Sequence, residues 1–211
     1  MSEGTKIHLS ALEMELVTNT QWVFTKQIII DKVYQLFGQL HEEYKEIVLK
    51  EKNFIPLLMQ KPGGKIAKGE NYNGLPYLIL DFPAIYSKEN IFAIRTMFWW
   101  GNFFSISLHL SGDYCNSLKN IRECLIFLKE KDFFICVNEN EWKHDFDSSN
   151  FININELEKD QIALLSRKRF FKIAKKIELA QWEFAIHFLK QTFEEIMEFI
   201  KFSFPNGEKV L

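Results

Sequence analysis

The sequence predicts an α+β fold: a mainly antiparallel sheet, containing a hairpin over residues 91–111, packed by long amphipathic helices. Three observations carry this. Apolar residues recur at helical spacing over residues 20–50 and 181–202. Gly101-Asn102 stands between two β-rich runs, a two-residue hairpin signal that makes the flanking strands antiparallel. The strand-like runs are grouped instead of alternating with helices, which argues against a doubly wound sheet. A chain of 211 residues, 47% of them hydrophobic, suits one α+β domain spanning 1–211.

Ser10 caps a short helix, ALEMELVTN, with Glu13 at the capping-box position. A long helix from Thr20 to Lys50 follows, its apolar face formed by Trp22, Ile29, Val33, Leu36, Phe37, Leu40, Tyr44 and Ile47. Residues 61–74, KPGGKIAKGENYNG, read as a long glycine-rich loop, either a lid or a disordered segment. LPYLILDFP is a strand apolar on both faces and bracketed by Pro76 and Pro83.

In the hairpin, a turn at Gly101-Asn102 pairs Trp100 with Phe103 and Trp99 with Phe104. Alternation then sends Arg95, Met97, Trp99, Phe104, Ile106 and Leu108 to one face. Ile94, Thr96, Phe98, Trp100, Phe103, Ser105, Ser107 and His109 share the other, which mixes large aromatics with hydroxyls and an imidazole. Further on come a helix over 116–131, a strand DFFICVN, a polar acidic connection, a helix capped by Asn155 and the final helix from Gln181. RFFKIAKKIEL, 169–179, fits strand or helix.

No motif fixes a chemistry. A net charge of −2 excludes a chain-wide electrostatic nucleic-acid binder. Lys65 is followed by Ile66, so the glycine loop lacks the hydroxyl that a phosphate loop needs for magnesium. No H-x-x-x-H spacing occurs, and His144, Asp145 and Asp147 in WKHDFD read as an exposed acidic turn; no metal or other cofactor is expected. Arg167, Lys168, Arg169, Lys172, Lys175 and Lys176, interleaved with Phe170 and Phe171, could track a nucleic acid, but a solvated face, or one paired with the acidic segment before them, is the expectation. Cys115, Cys124 and Cys136 form no C-x-x-C pair, which predicts reduced thiols and a cytoplasmic protein. No signal peptide and no membrane span are read.

GLPYLILDFP followed by IFAIRTMFWWGNFFSISLHLSG, residues 74–112, resembles a family of small uncharacterised Bacteroidetes-type bacterial proteins. The resemblance implies a bacterial, cytosolic protein and carries no activity or cofactor.

The leading functional expectation is a domain that binds a small molecule or a protein partner through the mixed aromatic and polar face of the hairpin. Its ligand-binding residues are Tyr72, Trp100, Phe103, Ser105, Ser107 and His109. One alternative is an enzyme of unassigned class with a cleft near His109, Arg95 or Asp81; another is a module that interacts with other proteins through its helices.

Overall fold

The computed structural model describes residues 7–51 and 63–204. It is an α+β fold. The chain runs α1 (Ala11–Thr18), α2 (Thr20–Lys50), β1 (Lys65–Tyr72), β2 (Leu75–Tyr86), β3 (Ile91–Trp99), β4 (Phe103–Ser111), α3 (Asp113–Asn116), α4 (Ile121–Leu128), β5 (Phe134–Cys136), β6 (Phe151–Asn153), α5 (Lys159–Leu165), β7 (Phe170–Glu178) and α6 (Trp182–Ser203). The strands form one seven-stranded sheet in the order β1-β2-β3-β4-β7-β5-β6, and every pairing is antiparallel. The ambiguous 170–178 stretch is a strand. It sits beside β4, and its alternation sends Phe171, Ile173 and Ile177 into the main core.

Helices α2 and α6 cover one face. Ile30, Val33, Phe37, Leu40, Tyr44 and Val48 of α2 are buried there, opposite Leu189, Phe193, Ile196 and Ile200 of α6. Tyr44 stacks on Phe193 with ring centroids 3.9 Å apart, and its hydroxyl lies 3.2 Å from the Thr96 hydroxyl. That bond partners the polar group the sheet places in this core. The buried stripe of α2 begins only at Ile30; Trp22, expected on it, is exposed.

The 91–111 hairpin is present with a different register. Phe98 pairs with Phe104, so the connection is Trp100–Asn102, three residues and not two. Gly101, at φ +70, takes the left-handed conformation that this tighter path needs. The Asn102 N–H donates to the Trp99 carbonyl at 3.1 Å, and the Trp100 N–H donates to Pro76 O at 3.1 Å, tying the turn to β2. A one-residue slip exchanges every side chain of one strand between faces. Trp100 therefore leaves the serine face and packs on the helix-covered core beside Phe98. Arg95, Met97 and Trp99 join Phe103, Ser105, Ser107 and His109 instead.

The glycine-rich segment is also corrected. Its residues 61–62 lie outside the described residues, and 65–72 are the edge strand β1. Lys65 and Lys68 suit an edge, where charge discourages further pairing. Asn73 and Gly74, at φ 50 and 82, make the two-residue turn into β2. Strand β2 continues past Pro83 to Tyr86, with an irregularity between Asp81 and Ala84 where the missing N–H falls. The helix expected from Asn155 starts at Lys159, with Glu158 at its N-cap.

Candidate functional site

The face opposite the helices is polar at its centre. Adjacent strands bring Asp81, Arg95, Ser107 and Ala174 into one row and Ala93, His109 and Lys172 into the next. Residues 137–150, between β5 and β6, lie over these rows, and the two layers are tied by specific hydrogen bonds. Lys172, fully buried, donates to the carbonyls of Glu141 at 2.8 Å and Lys143 at 2.6 Å. The Tyr72 hydroxyl accepts from the N–H groups of His144 at 2.6 Å and Asp145 at 3.2 Å, and donates to the Asp145 carboxylate at 3.2 Å. Phe146 enters an aromatic cage of Phe103, Phe134 and Phe151, with centroids 4.9–5.2 Å away. The roof of this face is thus the acidic connection, and β1 contributes only its Tyr72.

Beneath the roof, Arg95 grips Asp81 at two points, Nε to Oδ1 at 2.7 Å and Nη2 to Oδ2 at 2.8 Å. Tyr86 donates to the same carboxylate at 3.1 Å. Burial and the Asp81 charge push the Tyr86 phenol up to about 12. Arg95 Nη1 points at His144 Nε2, 3.1 Å away, and Lys172 Nζ lies 3.5 Å from His144 Nδ1. An imidazole between two cations is kept neutral: burial, then Lys172, then Arg95 hold His144 well below the ordinary histidine range. Burial also lowers Lys172, to about 8.

The donor count fits that shift. Once Lys172 gives up its proton, above about pH 8, the amine has two N–H groups for its two carbonyls and a lone pair for the Nδ1–H of His144. Nε2 of His144 is then free to accept from Arg95.

His109 makes a second pair at this layer, its Nε2 2.8 Å from Glu141 Oε2. Burial and the cations Lys172 and Arg95 lower the imidazole, and burial raises the Glu141 carboxyl. We assign a neutral His109 donating Nε2–H to the carboxylate, because two buried cations and desolvation outweigh one half-exposed anion. Trp142 packs edge-on to this ring at 5.5 Å.

Beyond Glu141 and Trp142 the roof ends and a cleft of about 920 Å³ opens. Its floor includes Ser111 and Phe170, which follow His109 and Lys172 on the same face. Its rim carries Lys88, Arg167 and Arg169 together with Glu89 and Glu139.

Of the six expected site residues, none lines this cleft. Ser105, Ser107 and His109 are buried beneath the roof, Phe103 belongs to the aromatic cage, Tyr72 is a clamp and Trp100 faces the other core. His144 and Asp145 are not an exposed turn; both point into the polar layer, and of the three residues assigned to that turn Asp147 alone is exposed. The basic cluster divides too. Lys175 pairs with Glu195 at 2.7 Å and Lys176 with Glu178 at 2.8 Å, neither in the acidic segment, while Lys168 binds the carbonyls of Cys136 and Asn138. Arg167 and Arg169 are left on the cleft.

All three cysteines are free thiols. Among the described residues no group of three or more His, Cys, Asp or Glu is placed to hold a metal, and no helix is long and apolar enough to cross a membrane. No protein-family model, curated protein or solved structure matches the chain.

Proposed function

We propose that the protein is a small-ligand-binding domain whose ligand enters the 920 Å³ cleft at the open end of the polar face. The observation that carries this reading is the contrast along one face. Residues 137–150 seal it over Arg95, Ser107 and Lys172, then stop, leaving a concavity large enough for a metabolite-sized molecule. Trp142 supplies an aromatic wall, Glu141 and Ser111 supply polar atoms, and Arg167 and Arg169 supply charge at the mouth. The ligand this suits is polar and compact, with an anionic group for the arginines.

A second reading, an enzyme of unassigned class, draws support from the His109–Glu141 pair behind the cleft wall, a base with its orienting carboxylate. Arg95 does not contribute to it, being committed to Asp81.

The test is a ligand-observed NMR screen of mixed phosphorylated and carboxylated metabolites. Binding that weakens about tenfold or more in Trp142→Ala or Arg169→Glu, a loss of about 1.4 kcal/mol, supports the cleft. Hits indifferent to both substitutions, or no hits, overturn it.

A further inference from the structure

We propose that the N-terminal helical arm, residues 7–28, is a self-association surface that two copies of this chain bury against each other. The arm is α1 and the first turns of α2, joined through Asn19 alone. Every residue of α1 is exposed, and α2 begins to pack on the sheet only near Ile29. Ile7, Leu9, Leu12, Met14, Leu16, Val17, Trp22, Val23, Phe24 and Ile28 are exposed to between 43% and 96%. Taking about 200 Å² for a fully exposed large side chain, they present roughly 1,000 Å². A standard interface buries about 800 Å² per partner.

The arm is nevertheless built as helix. Ser10 and Glu13 form a complete capping box on α1, and the Asn19 side chain accepts from the Trp22 N–H at 2.9 Å to cap α2. An isolated eight-residue helix that buries nothing is unstable in water, so this geometry needs a covering surface.

The segment between α2 and β1 does not supply it: eleven residues join Glu51 to Gly63, Gly64 packs against His41, and that length is too short to reach Phe24 and come back.

The apolar side chains also point in more than one direction: α1 is apolar on all sides, and Trp22, Val23 and Phe24 are consecutive. A flat partner covers one side, whereas two arms packed about a two-fold axis enclose each other. Between Ile7 and Thr25 the charged residues are Glu13 and Glu15, with no basic face of the kind an anionic membrane attracts. Lys26, which follows, pairs within the chain with Glu70 of β1 at 3.7 Å.

Sedimentation velocity and native mass spectrometry of the full chain test this, across a wide concentration range. The expected species is a dimer, twice the 25.1 kDa chain. Leu12→Asp with Phe24→Asp should convert it to monomer, raising the dissociation constant at least about a hundredfold, with the near-ultraviolet circular dichroism of the sheet core retained. If that variant loses the core signal, Leu12→Ser with Val17→Ser on α1 is read instead, with the same expected direction. A wild-type monomer at all concentrations, including one that binds anionic vesicles, overturns the proposal. So does a folded arm variant that remains a dimer.

Discussion

The face of the sheet under α2 and α6 and the face under residues 137–150 are made by the same strands, with successive residues of β3 and β4 going to opposite sides. On the helix side the partners are mostly apolar and interchangeable in kind: Phe98, Phe104, Ile106 and Leu108 meet Phe37, Leu40, Phe193 and Ile196, joined by a hydroxyl pair between Tyr44 and Thr96 and an ion pair between Lys175 and Glu195. On the other side a loop takes the place of a helix. A loop brings unpaired backbone groups, so the strands beneath it must offer side chains to bind them. Lys172 and Tyr72 do so for Glu141, Lys143, His144 and Asp145. The first face is held by volume and the second by donor and acceptor matching. The second leaves the 920 Å³ opening, because hydrogen-bonded loops need not tile a surface.

Truncation tests this division most strongly. Phe193→Ala removes a fully buried ring that stacks on Tyr44, and should cost about 3–5 kcal/mol in urea unfolding. Ser107→Ala, on the polar face, should cost less than about 1 kcal/mol, since its hydroxyl has no hydrogen-bond partner among the described residues to lose. Comparable losses would mean that the two faces are held in the same way.

The ion pair under the roof gives a sharper version. Arg95→Met strands the Asp81 carboxylate, which retains Tyr86 but loses both guanidinium contacts, and should cost about 3 kcal/mol. Adding Asp81→Leu should recover a large part of that loss, because no buried charge is then left alone. A double variant as unstable as the sum of the two singles would contradict matching as the source of stability.

The helix-side face was largely legible in the sequence because it depends on period: the stripes of α2 and α6 and the apolar positions of β2 and β4 follow from spacing alone. The polar face was not, for identifiable reasons. Two Asn/Gly dipeptides compete as hairpin signals, Asn73-Gly74 and Gly101-Asn102. The first makes the two-residue turn, and the second sits in a three-residue loop whose slip moved Trp100 off the predicted site and Arg95 onto it. Strand β1 was hidden by its glycines and lysines, which are edge-strand features and resemble loop composition. Lys172 lies 28 residues from His144 and 31 from Glu141 where it meets them, and no local spacing announces the contact. The available signal was a lone Lys172 between apolar positions of a strand, together with Asp81 inside LILDFP; a buried charge implies a partner from elsewhere.

A smaller effect than the loss of Arg95 concerns that lysine and reads the matching directly. Lys172 has a folded value of about 8, against about 10.5 when exposed, with burial as the main cause. Between those values the unfolded chain holds a proton that the folded chain does not, so stability rises with pH across the interval. The contribution is complete above the unfolded value and is lost as pH falls through the folded one. The structural reason is the third N–H of the ammonium. It would face His144 Nδ1, forcing that ring to turn an N–H toward Arg95. From pH 8 to 9.5 the rise amounts to about 1.5 kcal/mol, because the folded lysine is still half protonated at pH 8. Cys115 and Cys124, both held near 11 by burial, act in the opposite direction over the same range, since their unfolded thiols ionise first. The quantity to measure is therefore the difference between wild type and Lys172→Met in urea unfolding at several pH values, in which the terms from those two thiols cancel. The wild-type curve should climb relative to the variant's by about that amount. Parallel curves would mean that Lys172 keeps its proton throughout, and that the roof is held by an ammonium and not by a neutral amine.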